Sequence, residues 1–205
     1  MDTSNEILYI LLPDYAAHEA VYLSQAIASD EYALKEHPKY VNKVVAPTPE
    51  PVKSIGGFRT LPDYSFDTLP DDYAALVLIG GFGWATPVAD GVLPIVKQAL
   101  EKGKVVGAIC NAASWMARHG LLNHVRHTGN GPEQLKLWGG DNYTNAGAYV
   151  NAQAVSDNRL VTANGSATLE FARELLLLLE NDTPERIEMY YQFNKQGFCA
   201  LFPGN

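Results

Sequence analysis

The chain has 205 residues, of which 47% are hydrophobic and 19% charged, a length and composition typical of one globular domain with a sizeable core. Its net charge of -8 and the absence of a Lys/Arg cluster argue against nucleic acids as partners, because nucleic-acid binders concentrate positive charge on one face. The apolar run in MDTSNEILYILLPDY is too short to span a membrane and lacks the basic start of a signal peptide, so we expect no membrane partner and a cytoplasmic location.

Short apolar runs alternate with amphipathic segments, which is the pattern of a mostly parallel sheet covered by helices on both faces. The first expected elements are a strand at 6–12, a helix at 16–29 and a strand at 43–47, which leads into an edge hairpin that ends at Gly56-Gly57. A strand at 75–81, a helix at 92–103, a strand at 104–109 and a helix after Cys110 follow. The last elements are a hairpin within 148–165, with its turn at Asp157-Asn158, and a helix at 166–181 with Ser166 as its N-cap.

We expect residues 1–205 to form a single domain, since no repeat, low-complexity tract or linker divides the chain. The last segment, 183–205, is rich in aromatic residues. That content predicts a docked C-terminal tail or an interface segment rather than a disordered one.

The two cysteines, Cys110 and Cys199, are expected to be free thiols because a reducing compartment disfavours their pairing. Neither has the spacing of a metal ligand, and we expect no metal and no cofactor. Cys199 lies in GFCALF with no polar residues around it, which favours plain packing.

Cys110 follows an apolar strand and immediately precedes a helix, which is the arrangement of a nucleophile elbow. Unpaired N–H groups and the helix dipole lower the pKa of a thiol at a helix N-terminus. We therefore expect a lowered pKa for Cys110. The backbone N–H groups of Asn111 and Gly81 are candidates to bind an oxyanion beside it. The alternative is that Cys110 is a small apolar residue buried at a strand–helix corner.

Several motifs resemble the ThiJ/PfpI family of the class I glutamine amidotransferase-like superfamily. They are LVLIGGFG, VVGAICNAA, RHTGN and AYVNAQAVSDNRLVTANGSATLEFARELL, in this order, and the resemblance spans roughly residues 6 to 180. The chain most resembles the bacterial branch of the family, whose members are described as proteases or amidases of the PfpI type. The resemblance implies a flavodoxin-like doubly wound fold, a reactive thiol at Cys110 and a homodimer.

The resemblance also assigns partners to the thiol. PDYAAHEAVYL is similar to the family's DGFADWEAAYL and places Glu19 in contact with the cysteine. A protonated Glu19 would donate a hydrogen bond to the thiolate, since two adjacent acids do not both ionise easily. Without the resemblance, a solvated carboxylate in a first helical turn is the favoured interpretation of Glu19.

The usual histidine is missing from both positions where relatives carry one. Asn111 follows the cysteine directly, and Asn130 occupies the loop position. This puts an unaided Cys-His mechanism in doubt, because a general base must reach the proton it moves. His127, in the loop bordering the site, and His18, beside Glu19, are the remaining candidates, although a structural or surface role fits each of them too.

Three functions remain open from the sequence. The first is a cysteine-dependent hydrolase of amidase or peptidase, glutaminase-like, or glyoxalase or deglycase type, with a small-molecule carbonyl or amide as substrate. The second is a stress-response or redox-sensing protein that oxidises at Cys110 and needs no general base. The third is a binding protein with a vestigial pocket.

Overall fold

The computed structural model describes residues 3–29, 38–201 and 203. Its strands are β1 Glu6–Ile10, β2 Val41–Ala46, β3 Val52–Lys53, β4 Arg59–Thr60, β5 Tyr64–Ser65, β6 Ala75–Leu78, β7 Val105–Ile109, β8 Ala154–Asp157 and β9 Leu160–Ala163. Its helices are α1 His18–Ala28, α2 Val92–Glu101, α3 Asn111–Arg118, α4 Pro132–Gly139, α5 Thr168–Leu178, α6 Pro184–Gln196 and α7 Phe198–Leu201, with short 3-10 turns between some of them.

Seven strands form one sheet in the order β5-β2-β1-β6-β7-β9-β8. All neighbouring pairs in it are parallel except β8 and β9. The central order β2-β1-β6-β7-β9 is that of a flavodoxin-like doubly wound sheet, which confirms the predicted fold class. In such a sheet, ligands bind outside the carboxyl ends of the strands, at the point where the order of the strands reverses. Here that point lies between β1 and β6.

Helices cover both faces because the strands are apolar on both. Alternate residues of β1 divide between two cores: Ile7 and Tyr9 pack with α1 and α5, whereas Leu8 and Ile10 pack with α2 and α3. Such continuous burial is what a central parallel strand requires and why its sequence is an uninterrupted apolar run.

Several predicted elements differ in detail from the structure. The hairpin after β2 is β3 and β4, a separate two-stranded sheet whose turn contains Gly57, so Gly56-Gly57 is its turn and not its end. The place beside β2 at the edge of the main sheet is taken by β5, which the sequence did not predict. The hairpin of β8 and β9 is confirmed, with its turn one residue later at Asn158 and Arg159, both at positive φ.

Ser166 is not the N-cap of α5. The cap position is Ala167, without a side-chain cap, because the Ser166 hydroxyl donates a 2.6 Å hydrogen bond to Asn164 Oδ1 instead. Local bonds of this kind compete with capping in serine-rich and asparagine-rich turns.

The segment after residue 183 is mostly helical. The Thr183 side chain caps α6, and Ile187, 3% exposed, packs into the core on the α1/α5 face. Arg173 of α5 donates a 2.7 Å bond to Glu188, which ties the two helices together. Phe202, part of the predicted aromatic tail, lies outside the described residues.

None of the helices in the described part of the chain combines the length and the apolar character that crossing a bilayer requires.

The contact between β7 and α5 leaves no space for a side chain at Gly107. A Cβ atom there would lie 2.8 Å from Phe171 Cζ and 3.0 Å from Leu175 Cδ1. We therefore expect Gly107→Ala to lower the free energy of unfolding by about 1–3 kcal/mol through overpacking, measured by urea denaturation. Gly147→Ala is the matched control, because nothing lies within 4 Å of its added methyl. Equal stability of the two variants would contradict the tight contact.

Candidate active site

Cys110 stands in the turn between β7 and α3 with φ 60° and ψ -127°. Positive φ is strained for a residue with a side chain and is held by its surroundings, here by the Cys110 N–H, which donates to the carbonyl of Ala163 on β9 at 3.0 Å. The thiol is partly buried. The Asn111 backbone N–H, at the start of α3, hydrogen-bonds the sulfur.

Glu19 comes from the first turn of α1 and is only 2% exposed. One carboxylate oxygen, Oε2, accepts a 2.7 Å hydrogen bond from the Gly80 N–H after β6. Burial raises the pKa of Glu19 to about 7, against hydrogen bonds to Gly80 and to the Cys110 thiol that lower it. The carboxyl therefore carries a proton for a substantial fraction of the time near neutral pH.

The pKa of the Cys110 thiol is raised by burial first and by the Glu19 charge second, while hydrogen bonds from Asn130 and Asn111 lower it. The prediction of a lowered thiol pKa is thus wrong while Glu19 is ionised, because the helix N-terminus is outweighed by burial and by the adjacent carboxylate. Protonation of Glu19 removes that charge. The two groups therefore titrate as a pair that competes for one proton.

Two glycines make room for this pair. A Cβ atom on Gly80 would lie 2.5 Å from Glu19 Oε2 and 2.6 Å from Cys110 Cβ, and one on Gly165 would lie 2.9 Å from Cys110 Sγ and 3.4 Å from Glu19 Oε1. Both glycines follow the ends of strands, β6 and β9. Any larger residue at either position would displace the thiol or the carboxyl.

Amide side chains occupy the positions where a histidine was sought. Asn130 Nδ2 lies 3.3 Å from Cys110 Sγ and Asn130 Oδ1 accepts from the Gly165 N–H at 2.9 Å. Asn111 Nδ2 donates to the Gly81 carbonyl at 3.0 Å, and Asn111 Oδ1 accepts from Gln134 Nε2 at 2.9 Å. An amide donates and accepts hydrogen bonds but takes up no proton near neutral pH.

The structure does not bring His127 to the thiol. Its ring is fully buried, Nδ1 lies 2.9 Å from the Val125 carbonyl and Nε2 lies 2.6 Å from the Tyr143 hydroxyl, so both nitrogens are occupied. Burial lowers its pKa below the usual range. These contacts give His127 a structural place in the loop and contradict its prediction as a catalytic partner.

His18 is exposed at the edge of the site, with Nε2 3.4 Å from the carbonyl of Gly165. It lies beside the glycine that packs on the sulfur but makes no recorded hydrogen bond to Cys110 or Glu19 in the part of the chain that is described. The Gly81 N–H has no acceptor among the described residues, which leaves it available to a ligand.

Sequence reasoning missed Gln134, Gly80 and Gly165. Gln134 lies on α4, which no predicted element covered, although GPEQLKLWGG carries Pro at the first helical position and a glycine pair at the end. The two glycines follow apolar strands and give no sign of their neighbours. Among the described residues, no group of three or more His, Cys, Asp or Glu side chains is arranged to hold a metal ion.

Comparison with known proteins places these residues in a family. The model of the DJ-1/PfpI family matches residues 5–178, which include every element from β1 through α5. The chain belongs to the DJ-1/PfpI family.

Individual members of the DJ-1/PfpI family are similar over most of this chain. It is 38% identical over 192 residues to the uncharacterized protease YdeA of Bacillus subtilis, covering 93% of this chain and 91% of that protein. The crystal structure of a thiJ/pfpI family protein from Bacillus anthracis superposes with a TM-score of 0.87 at 32% identity, covering 98% of this chain and 94% of that one. The glutathione-independent glyoxalase DJR-1.2 of Caenorhabditis elegans is 26% identical over 140 residues, 67% of this chain and 71% of that protein.

The raised pKa of Glu19 makes the stability of this DJ-1/PfpI protein depend on pH. Because the folded-state pKa is about 7 and the ordinary value is 4.5, folding holds a proton that the unfolded chain has already lost between these values. The stabilisation is full below the lower pKa and is lost as pH rises through the higher one. We compare the free energy of unfolding of the wild type with that of Glu19→Gln. The difference, wild type minus variant, is expected to fall by about 2–3 kcal/mol from about pH 5 to about pH 8.

Urea denaturation of both proteins at the two pH values measures this change. Gln98→Glu, on the exposed side of α2, serves as a control for adding or removing a carboxyl elsewhere. A difference between wild type and Glu19→Gln that stays constant with pH would show that Glu19 ionises as an ordinary carboxyl does.

Proposed function

We propose that this protein is a Cys110-dependent enzyme that converts α-oxoaldehydes to hydroxy acids, a hydrolase of glyoxalase type. The observation that supports the proposal most is the pair of Cys110 and Glu19, in which a carboxyl with a pKa of about 7 hydrogen-bonds the thiol. A group with a pKa near the working pH can both give and take a proton during one turnover.

The reaction begins when the Glu19 carboxylate takes the proton of the Cys110 thiol, which leaves a thiolate beside a protonated carboxyl. Cys110 Sγ forms a bond to the aldehyde carbon, the π electron pair moves to the aldehyde oxygen, and that oxygen takes the proton of Glu19. The N–H groups of Asn111 and Gly81 are the proposed donors to the oxygen while it carries negative charge. The product of this step is a hemithioacetal, and Glu19 is left as a carboxylate.

The carboxylate then moves a proton between neighbouring carbons. Glu19 removes the hydrogen from the former aldehyde carbon, which gives an enediol, and returns a proton to the adjacent carbon. The proton on the former aldehyde oxygen passes to the neighbouring oxygen, so that the hemithioacetal becomes a thioester of a hydroxy acid. Water hydrolyses the thioester and restores the thiol. The net change is the addition of one water molecule, so no oxidant or reductant is consumed.

This chemistry suits the site better than peptide cleavage does. Expelling an amine takes a base for the nucleophile and an acid for the leaving group, a task for which cysteine proteases use a histidine. Within the described ranges no histidine side chain is hydrogen-bonded to Cys110 or Glu19, and Asn130 and Asn111 cannot act as proton carriers in its place. An oxoaldehyde has no leaving group to protonate, so one carboxyl suffices.

The test measures the disappearance of methylglyoxal and the appearance of lactate with purified protein. We expect Cys110→Ser to abolish turnover and Glu19→Gln to lower kcat/KM by roughly a hundredfold or more, because the proton carrier is lost. Cys199→Ser is the matched control, since Cys199 is exposed and remote in sequence from the site, and it should keep wild-type activity. Turnover that persists in Cys110→Ser would overturn the proposal, as would cleavage of amides with no action on oxoaldehydes.

A second candidate, oxidation at Cys110, is favoured by one observation. Asn130 Nδ2, the Asn111 N–H and a protonated Glu19 all point hydrogen-bond donors at the sulfur, and these would hold a sulfenate or sulfinate as well as a thiolate. In that reaction the thiolate attacks a peroxide oxygen, an S–O bond forms, the O–O bond breaks and hydroxide leaves.

Intact mass after dilute peroxide separates this candidate from the enzyme. We expect Cys199→Ser to gain the mass of one or two oxygen atoms at a peroxide concentration at which Cys110→Ser does not. Glu19→Asp should slow the gain, because the shorter carboxyl no longer reaches the sulfur. Equal oxidation of the two cysteine variants would remove the case for a sensor.

A further inference from the structure

A surface depression of about 920 Å³ adjoins the thiol. Two of its lining residues also adjoin Cys110: Asn130, which donates to Sγ, and Gly165, where an added Cβ atom would lie 2.9 Å from Sγ. A molecule whose carbonyl lies at Cys110 therefore extends into this depression. Its volume is at the upper end of the range for pockets that hold drug-sized ligands and exceeds what a three-carbon oxoaldehyde fills.

The lining is polar but uncharged. None of the described residues that line it is Asp, Glu, Lys, Arg or His, although the chain contains 15 basic and 23 acidic residues. Carboxamides are the commonest side chains in it: Asn130, Gln134, Asn151, Gln153 and Asn164. A charged ligand would find no counter-charge among these lining residues, and the net charge of -8 disfavours anions in particular. His18 lies outside the lining, at the edge, with Nε2 3.4 Å from the Gly165 carbonyl.

The amides divide into two groups. Four of them are hydrogen-bonded within the protein. Asn130 bonds Cys110 and Gly165, and Gln134 bonds Asn111. Asn164 bonds Ser166 and donates to Gln153, which is the fourth. These bonds fix the wall. Asn151, by contrast, is exposed and makes no recorded hydrogen bond among the described residues, nor does the hydroxyl of Tyr149. Asn151 and Tyr149 are the groups left to bind a ligand.

We propose that this depression binds an uncharged, polyhydroxylated part of the substrate, so that the preferred α-oxoaldehyde is a neutral sugar-derived one. A carboxamide both donates and accepts, as each hydroxyl of a sugar does, and the Tyr149 ring offers an apolar face for the sugar's C–H groups. The inference deepens the proposed function and rests on it for the reacting carbonyl. The binding of the hydroxyl-bearing part does not depend on any reaction.

The first experiment compares kcat/KM for a deoxyglucosone, which is neutral and hydroxylated, with that for phenylglyoxal, whose side group is apolar. We expect the wild type to prefer the deoxyglucosone and Asn151→Ala to lower that preference by about tenfold, because the ligand's hydroxyls lose a partner. Gln98→Ala, an exposed amide on α2, should leave the preference unchanged. A preference for phenylglyoxal, or one that Asn151→Ala does not alter, would overturn the inference.

The second experiment separates the depression from the chemistry. Sorbitol and sorbitol phosphate are titrated into Cys110→Ser, which cannot form the covalent adduct, and binding is followed by NMR shifts. We expect saturable binding of sorbitol, weaker binding of its phosphate, and about tenfold weaker binding of sorbitol when Asn151→Ala is added. Unchanged circular dichroism checks that each variant is folded.

Each outcome decides one proposal. Absence of saturable sorbitol binding, or tighter binding of the phosphate or of a neutral alanine tripeptide, would overturn the assignment of the depression even if methylglyoxal is turned over. Sorbitol binding in a protein that turns over no oxoaldehyde would retain the depression's ligand class and overturn the proposed function.

Discussion

A carboxyl group buried beside a thiol is the interaction on which the site depends. Glu19 is 2% exposed, and one backbone N–H, from Gly80, offsets only part of the cost of removing its charge from water. The remaining cost appears as a pKa of about 7, so the carboxyl keeps a proton that it shares with Cys110. The parallel sheet makes this possible, because α1 follows β1, Gly80 follows β6 and Cys110 follows β7, and the carboxyl ends of these adjacent strands meet at one edge.

The replacement of histidine by asparagine gives the site a specific division of labour. Asn111 and Asn130 orient groups and donate to the sulfur and its surroundings, but neither takes up a proton near neutral pH. In the proposed reaction, Glu19 is the group at the thiol that moves the proton. The Gly81 carbonyl fixes the orientation of the Asn111 amide, because a carbonyl only accepts and Nδ2 must face it. Asn111 Oδ1, at the opposite end, then accepts from Gln134 Nε2. The same preference for amides continues into the neighbouring depression, whose lining residues carry no charge.

The sequence predicts the architecture well where burial dictates composition. Central strands such as β1 and β7 are buried on both faces, so their apolar runs and the glycines or helices that follow define the order of a doubly wound sheet. Cys110, Glu19 and Asn130 were placed at the site from motifs, and the structure brings them together. The wrong expectations concern single side chains that have more than one possible hydrogen-bond partner. His127 lies in the loop that borders the site, but its two ring nitrogens are hydrogen-bonded to Val125 and Tyr143. The Ser166 hydroxyl bonds Asn164 instead of capping the helix. A local pattern contains no information on such choices between competing hydrogen-bond partners.

The backbone at Cys110 shows why this edge of the sheet tolerates so little change. A residue with a side chain at φ 60° costs of order 1–3 kcal/mol, and the surrounding structure must hold it there. The bond from Cys110 N–H to Ala163 fixes one side of the turn and α3, anchored by the fully buried Ala112 and Trp115, fixes the other. The space around Sγ exists because Gly80 and Gly165 have no side chain. A single methyl group at either position would clash with the pair of Cys110 and Glu19. The position of the thiol thus depends on two residues that have no side chain as much as on the carboxyl and amides that contact it.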